Sequence, residues 1–171
     1  MLSMFMVKPI GIVHVDVSDD EVRDSWLTGG VEGWVEVFPE YKNGLRGLEG
    51  FSHILLVTWL HKVKDYQRKV LLVKPRRLTR FGIPLKELPL IGVFTCDSPH
   101  RPNPIGLSIV ELVEIRDNVL HVRGLDLFNG TPVLDIRGYT PEYVIEKPSV
   151  PEWYKKVKKL IRKYIGRELP I

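Results

Sequence analysis

The sequence predicts a mainly β fold, a barrel or a sandwich of antiparallel strands, and three observations carry that prediction. Short runs of β-branched and aromatic residues recur along most of the chain with turn signals between them. Helical periodicity is scarce between those runs, which argues against the crossover helices of a doubly wound parallel sheet. Asp117-Asn118 and Asn129-Gly130 stand between neighbouring runs and suit tight hairpins, the second as a type I′ turn.

Taken in order, Val7 to Val15 is the first strand-like piece. In Val31 to Phe38, Val31, Val35 and Val37 alternate with Glu32, Trp34 and Glu36, which gives a strand with at least one wet face. Gly44, Gly47 and Gly50 precede a strand rather than a helix, so they read as turn residues and not as a phosphate cradle. Phe51 to Trp59 is almost continuously apolar, the pattern of a strand buried on both faces. Ile91 to Phe94, Ser108 to Ile115, Val119 to Leu127 and Pro132 to Ile136 complete the strand series. Pro141 to Pro151 reads as an irregular connector. Beyond it Trp153, Val157, Leu160, Ile161 and Tyr164 share one face of a helix, with Ser149 and Glu152 at capping-box spacing and Gly166 as the stop.

At 171 residues the expectation is one domain, with a barrel over about 6–142 and a connector plus helix over 143–171. Hydrophobic residues at 44% and charged residues at 27% are globular usage. Ile54 to Leu60, the longest apolar stretch, falls far short of the roughly 20 residues a membrane span needs. Residues 1–7 lack the pattern of a signal peptide, and the single Cys96 cannot form an internal disulfide, so a cytoplasmic location is expected. Residues 150–171 carry seven Lys/Arg against Glu152 and Glu168, whereas the other 149 residues sum to about −1. A basic amphipathic C-terminal helix on a nearly neutral body suits a polyanion, with Lys155, Lys156, Lys159, Arg162 and Lys163, and beside them Lys158, as phosphate contacts. The alternative is a solvated helix face.

Dinucleotide, Walker, zinc-protease and nucleophile-elbow signatures are all missing from the sequence. The five histidines are dispersed, and Cys96 with His100 lacks further soft ligands nearby, so no metal site is expected. The densest chemistry is Asp97-Ser-Pro-His-Arg-Pro-Asn-Pro-Ile-Gly-Leu-Ser108. Pro102 and Pro104 stiffen it and aim the planar donors of Arg101 and the amide of Asn103, while Gly106 allows backbone to approach a ligand. The alternative is a Pro-rich connection whose polar groups close their own turn.

Three ordered blocks then stand out. They are Gly47-Leu-Glu-Gly-Phe-Ser-His53 with its strand ending in His61, Gly92-Val-Phe94 leading to Arg101-Pro-Asn-Pro-Ile-Gly-Leu-Ser108, and Leu125-Asp-Leu-Phe-Asn-Gly-Thr-Pro-Val-Leu-Asp-Ile136. Over roughly residues 8–142 the chain resembles the TsaA-like (TrmO) family. The resemblance implies a compact antiparallel β-barrel, a homodimer, and S-adenosylmethionine bound near the subunit interface. It also implies methylation of the exocyclic nitrogen of threonylcarbamoyl-adenosine beside the anticodon of tRNA. The positions matching the family's cofactor contacts are His61, Lys62, Leu107, Asp126, Leu127, Phe128 and Asn129, to which the stiff segment adds Arg101 and Asn103. Asp135 and Tyr139, just past the third block, are the candidates for proton handling or substrate placement.

The chain departs from the family pattern in three places. Asp97 stands where an arginine is usual, Val22-Arg-Asp-Ser-Trp26 replaces a Pro-Arg-Gln loop with Arg23 as a loose substitute, and Gly138 precedes Tyr139 where proline is usual. Two other readings remain open: a methyltransferase acting on another small molecule or nucleotide, and a ligand-binding or regulatory barrel without turnover.

Overall fold

The computed structural model describes residues 5–169, so the first four residues of the N-terminal stretch read above lie outside the described residues. Its elements run β1 (Gly11–His14), α1 (Asp19–Asp24), β2 (Val31–Val37), β3 (His53–Trp59), α2 (Asp65–Arg68), β4 (Leu72–Val73), β5 (Ile91–Gly92), β6 (Ile105–Arg116), β7 (Val119–Leu125), β8 (Pro132–Gly138) and α3 (Glu152–Ile165). Short 3-10 turns fill Ser25–Leu27, Pro39–Leu45, Arg76–Phe81, Val93–Thr95 and Pro141–Tyr143. The chain packs as two compact units, residues 1–62 with 104–143 and residues 63–103 with 144–171.

The first unit is a closed six-stranded barrel in the order β1-β2-β7-β6-β3-β8, with every pairing antiparallel. Alternation along each strand explains the closure. Val13, Val35, Val37, Ile54, Leu56, Val110, Leu120, Val122 and Val133 are buried together and fill the interior, while their neighbours point outward. In β3 the apolar run proves sided rather than buried on both faces. Ile54, Leu56 and Thr58 are sealed inside, whereas Leu55, Val57 and Trp59 lie half-buried on the exterior. A barrel needs only one dry face per strand, so these outward apolar side chains are not required by the barrel interior itself.

Two turn expectations part ways. Asp117-Asn118 does join paired strands β6 and β7, with Asp117 at φ 58°. Asn129-Gly130 makes a local turn, in which the Thr131 amide donates to the Phe128 carbonyl, but forms no hairpin. Only Gly130 of the two has positive φ, which excludes type I′, and the turn carries the chain from β7 to β8 across a barrel end, with β6 and β3 between them on one side and β2 and β1 on the other.

In the second unit, β4 and β5 pair as a two-stranded sheet, and the strand expected over Ile91 to Phe94 gives way to a turn after Gly92. Helix α3 packs against Arg76–Phe81, with Val157 and Ile161 buried and Trp153 and Leu160 half-buried. Gly166 ends α3 in the left-handed conformation, as the sequence suggests, but Ser149 does not cap it. The N-cap is Pro151, whose carbonyl receives the amides of Tyr154 and Lys155, so the helix starts one residue past a proline with no side-chain cap.

Candidate functional site

Strand registers gather most of the expected cofactor residues at one end of the barrel. Trp59 pairs with Ile105, Thr58 with Val133, and Val31 with Leu125. That end therefore carries the exits of β3 (His61 and Lys62) and β7 (Asp126 to Asn129) together with the start of β6 (Leu107). Helix α1 joins them because it follows the exit of β1. Ser18 caps it in a full capping box, its hydroxyl accepting the Glu21 amide while the Glu21 carboxylate accepts the Ser18 amide at 2.9 Å.

The centre of this end is the Phe128 ring. The Lys62 ammonium and the Arg23 guanidinium each stand 4.9 Å from its centroid, and Lys62 also donates to both carboxylate oxygens of Asp19, at 2.6 and 2.7 Å. Arg23, loosely suggested by sequence, is thus brought to the cluster. Asp19 was missed there, although Ser18-Asp-Asp-Glu21 carried the capping signal that would have placed it. Phe128 is held by Thr131, whose hydroxyl donates to the Phe128 carbonyl at 2.7 Å. Asp126 accepts the Ser108 hydroxyl at 2.6 Å through one carboxylate oxygen, and the Asn129 side-chain oxygen accepts the Val15 amide at 3.2 Å. Asp126 and Asn129 are both exposed, so the rest of the carboxylate and the amide NH2 remain open to a ligand. His61 has its pKa lowered, chiefly by partial desolvation and then by the neighbouring Lys62 charge, with Asp19 opposing, so its imidazole is neutral near pH 7.

Several expected residues are placed otherwise. Leu127 is 3% exposed and belongs to the barrel core, so only its backbone is offered to a ligand. Leu107 is 69% exposed on the outer face of β6 and is not a core residue. Gly106 serves packing rather than ligand approach, because a Cβ there would sit 2.6 Å from the Thr58 hydroxyl oxygen. Arg101 belongs to the second unit and spends its donors on its own loop, Nε on the Ser98 carbonyl at 3.0 Å and a terminal nitrogen on the Cys96 carbonyl. Asn103, in the same unit, is exposed, as is Asp97. His100 meets Gln67 at 3.0 Å, and no metal-binding group of three side chains occurs among the described residues.

Asp135 and Tyr139 do not lie at this end. Asp135 lies midway along β8, opposite Val57, where its carboxylate accepts the Ile136 amide at 3.0 Å and Arg137 Nε at 3.1 Å. It also borders a cavity of about 340 Å³ with Ile10, Glu40, Tyr41 and Leu45. Tyr139 follows the far end of β8, about 23 Å along the strand from Pro132 at roughly 3.3 Å per residue, and stacks on Tyr143 with centroids 5.5 Å apart.

The basic face of α3 is only partly open. Lys155 pairs with Glu152, Arg162 with Glu168, and Lys158 turns onto the Leu169 carbonyl and Glu168, leaving the outward set expected for it. Lys163 lies 5.0 Å from the Tyr164 ring, and Lys156 and Lys159 are exposed and form no ion pair among the described residues. No helix among the described residues is long and apolar enough to cross a membrane.

Residues 16–144 match the tRNA-methyltransferase O N-terminal domain. A protein of Pyrococcus abyssi named a probable S-adenosyl-L-methionine-binding protein is 39% identical over 155 residues, covering 90% of this chain and 78% of that one. The human tRNA (adenine(37)-N6)-methyltransferase is 37% identical over 107 residues, covering 63% of this chain but only 22% of its own length. The crystal structure of TrmO from Pseudomonas aeruginosa superposes with a TM-score of 0.64 at 28% identity, covering 86% of this chain and 62% of that one. The match of three quarters of the chain to the family domain, on a closed barrel that the solved TrmO shares, places this protein in the TrmO family.

Proposed function

We propose that this protein is an S-adenosylmethionine-dependent methyltransferase acting in the cytoplasm on N6 of threonylcarbamoyl-adenosine beside the anticodon of tRNA. The observation that carries the reading is the mixed-sign cluster around Phe128 in a chain of this family. The cofactor is a zwitterion with a ribose diol and an adenine, and the donor set fits it. Arg23 and Lys62, which hold Asp20 and Asp19 in this structure, suit its carboxylate on exchanging those partners, the Asp126 carboxylate suits the diol or the ammonium, the Asn129 amide adds a donor, and Leu107 offers adenine an apolar wall. When bound, it supplies a methyl already activated by the sulfonium, so the protein's task is mainly alignment and exclusion of water.

His61 is neutral at pH 7 and stands at this end, so it is the residue assigned to accept the proton released from N6. Asp135 and Tyr139, away from this end, are assigned to substrate placement. Arg101 holds its own loop and positions Asn103. The exposed outer side chains of β6, Ile105, Leu107 and Ile109, pair in register with half-buried Trp59, Val57 and Leu55. This apolar face supports a homodimer contact, with Leu107 placing the cofactor near it. The test is incubation of tRNA with protein and S-adenosylmethionine followed by mass spectrometry of nucleosides. A methyl gained on threonylcarbamoyl-adenosine is expected, and unchanged tRNA at saturating cofactor overturns the reading.

A further inference from the structure

The modest formal charge of +4 conceals a strong segregation between the two units. Residues 63–103 and 144–171 together hold seventeen Lys/Arg and six Asp/Glu, a formal +11. The barrel unit holds eight Lys/Arg and fifteen Asp/Glu, a formal −7. A polyanion is therefore repelled by the barrel's net charge and attracted by the second unit's. Residues 63–103 supply +6 of this on their own, from nine basic and three acidic side chains, so the helix is only part of the basic unit.

Within that segment three of the nine basic residues stand on one turn. In Arg76-Arg77-Leu78-Thr79-Arg80-Phe81, Leu78 is buried while Arg76, Arg77 and Arg80 are exposed. Burial of the one leucine fixes the turn, and the three exposed arginines stand on either side of it in sequence. The turn packs directly against α3, which exposes Lys156, Lys159 and Lys163, and α3 is tied down further along by the Tyr164 hydroxyl donating to Glu87 at 2.6 Å. Arginine is also the better phosphate partner, since its planar fork binds two oxygens at once.

We propose that the Arg76–Phe81 turn, with the adjoining α3, is the surface on which the phosphate backbone of RNA docks, and that its three arginines supply more of the attraction than the helix lysines. This rests on the tRNA reading above and adds to it the place of contact. The experiment measures binding of labelled total tRNA at several salt concentrations to the full chain, to Arg76→Gln/Arg77→Gln/Arg80→Gln, and to Lys156→Gln/Lys159→Gln/Lys163→Gln. Loss of three phosphate contacts lowers the log–log salt slope by about 2 to 3 and weakens binding at 0.1 M salt on the order of a hundredfold. The lysine variant changes less. Arg76→Lys/Arg77→Lys/Arg80→Lys keeps the charge and most of the slope, which separates docking from damage to the turn. Methyl transfer by the wild type with an unchanged slope in the folded arginine variant overturns this proposal and leaves the enzyme reading intact. Absence of tRNA binding by the wild type overturns both, and binding only to phosphatidylserine vesicles assigns the surface to a membrane and likewise overturns the proposal.

Discussion

Replacing Phe128 with Leu tests the cofactor cluster at its centre. The ring receives two cations, Lys62 and Arg23, each 4.9 Å from its centroid. An exposed cation–π contact contributes about 0.5 to 1 kcal/mol, so the pair contributes about 1 to 2 kcal/mol to holding both charges in one place. Leucine keeps the apolar packing that Phe128 makes on the barrel core but offers no π face. If those cations are positioned for the cofactor's carboxylate, the ligand must supply the lost ordering itself. Affinity then falls about 5- to 30-fold, at 1.4 kcal/mol per factor of ten. Calorimetric titration with S-adenosylmethionine and its demethylated product measures this, alongside Phe128→Tyr, which keeps the π face and should bind as the wild type does. A folded Leu variant with wild-type affinity would refute the assignment of this end of the barrel to the cofactor.

Three further substitutions reach other parts of the same site. His61→Asn should slow methyl transfer and remove the acid limb of its pH profile, which in the wild type lies below the ordinary histidine value of about 6.5 because burial and Lys62 lower the pKa; an identical profile in the variant removes His61 from proton transfer. The same depression means that His61 favours the folded state above its unfolded pKa, and that this contribution is lost as pH falls. Ser18→Ala removes the α1 cap, at about 1 kcal/mol, and should lower Tm by about 2 to 4 °C. Glu21, whose pKa is lowered first by the Ser18 hydroxyl and then by the Ser18 amide, stabilises the fold above its unfolded pKa and loses that effect on acidification through the lowered value. Melting curves of the Ala variant should show a weaker acid dependence, and an equal one would mean that the box does not stabilise α1. Thr131→Val deletes the hydroxyl bond to the Phe128 carbonyl at constant shape, costing about 1 kcal/mol in chemical denaturation. Cofactor affinity should fall with it, and a stability loss without any change in affinity would show that the turn is not felt by the ligand.

The strands of the barrel were legible because period-two alternation reports a dry face directly, as Val35 and Val37 against Glu36 do in β2. What a strand pairs with is not written in the same way. Asn129-Gly130 has the chemistry of a hairpin, yet that chemistry is local, and the partners of β8 are β1 and β3. β4 and β5, two residues each, are too short to show any period. At the site, the resemblance brought His61, Lys62, Leu107 and Asp126 to Asn129 to one barrel end, while Asp19 entered only through a capping motif that spacing alone could have revealed. Sequence left two readings of Arg101, and in this structure its guanidinium satisfies backbone carbonyls of its own loop, because sequence does not say which acceptor is nearer. The basic segment 63–103 escaped notice because summing a contiguous 149 residues cancelled it against the acidic barrel.

The barrel's last seam has a bearing on how the molecule breathes. β3 and β6 are zipped over seven residue pairs, but β1 pairs with β8 at Gly11 with Val133 and Ile12 with Pro132, flanked by the Ile10 amide to the Val133 carbonyl at 2.7 Å and the Val13 amide to the Thr131 carbonyl at 2.9 Å, and the proline brings no amide to the ladder. Local opening should start there. The same seam is basted at one end by the turn that carries the proposed cofactor contacts, through the Gly130 amide to the Val13 carbonyl at 2.8 Å and the Val15 amide to Asn129. A ligand gripping Asp126 to Asn129 thereby also latches β1, and hydrogen exchange should show the amides of Ile10, Val13 and Val15 slowing when the cofactor is added. Unaltered exchange at those three amides under saturating cofactor would mean that the ligand and the seam do not communicate. If they do, occupancy of the pocket and closure of the barrel are one equilibrium seen from two sides.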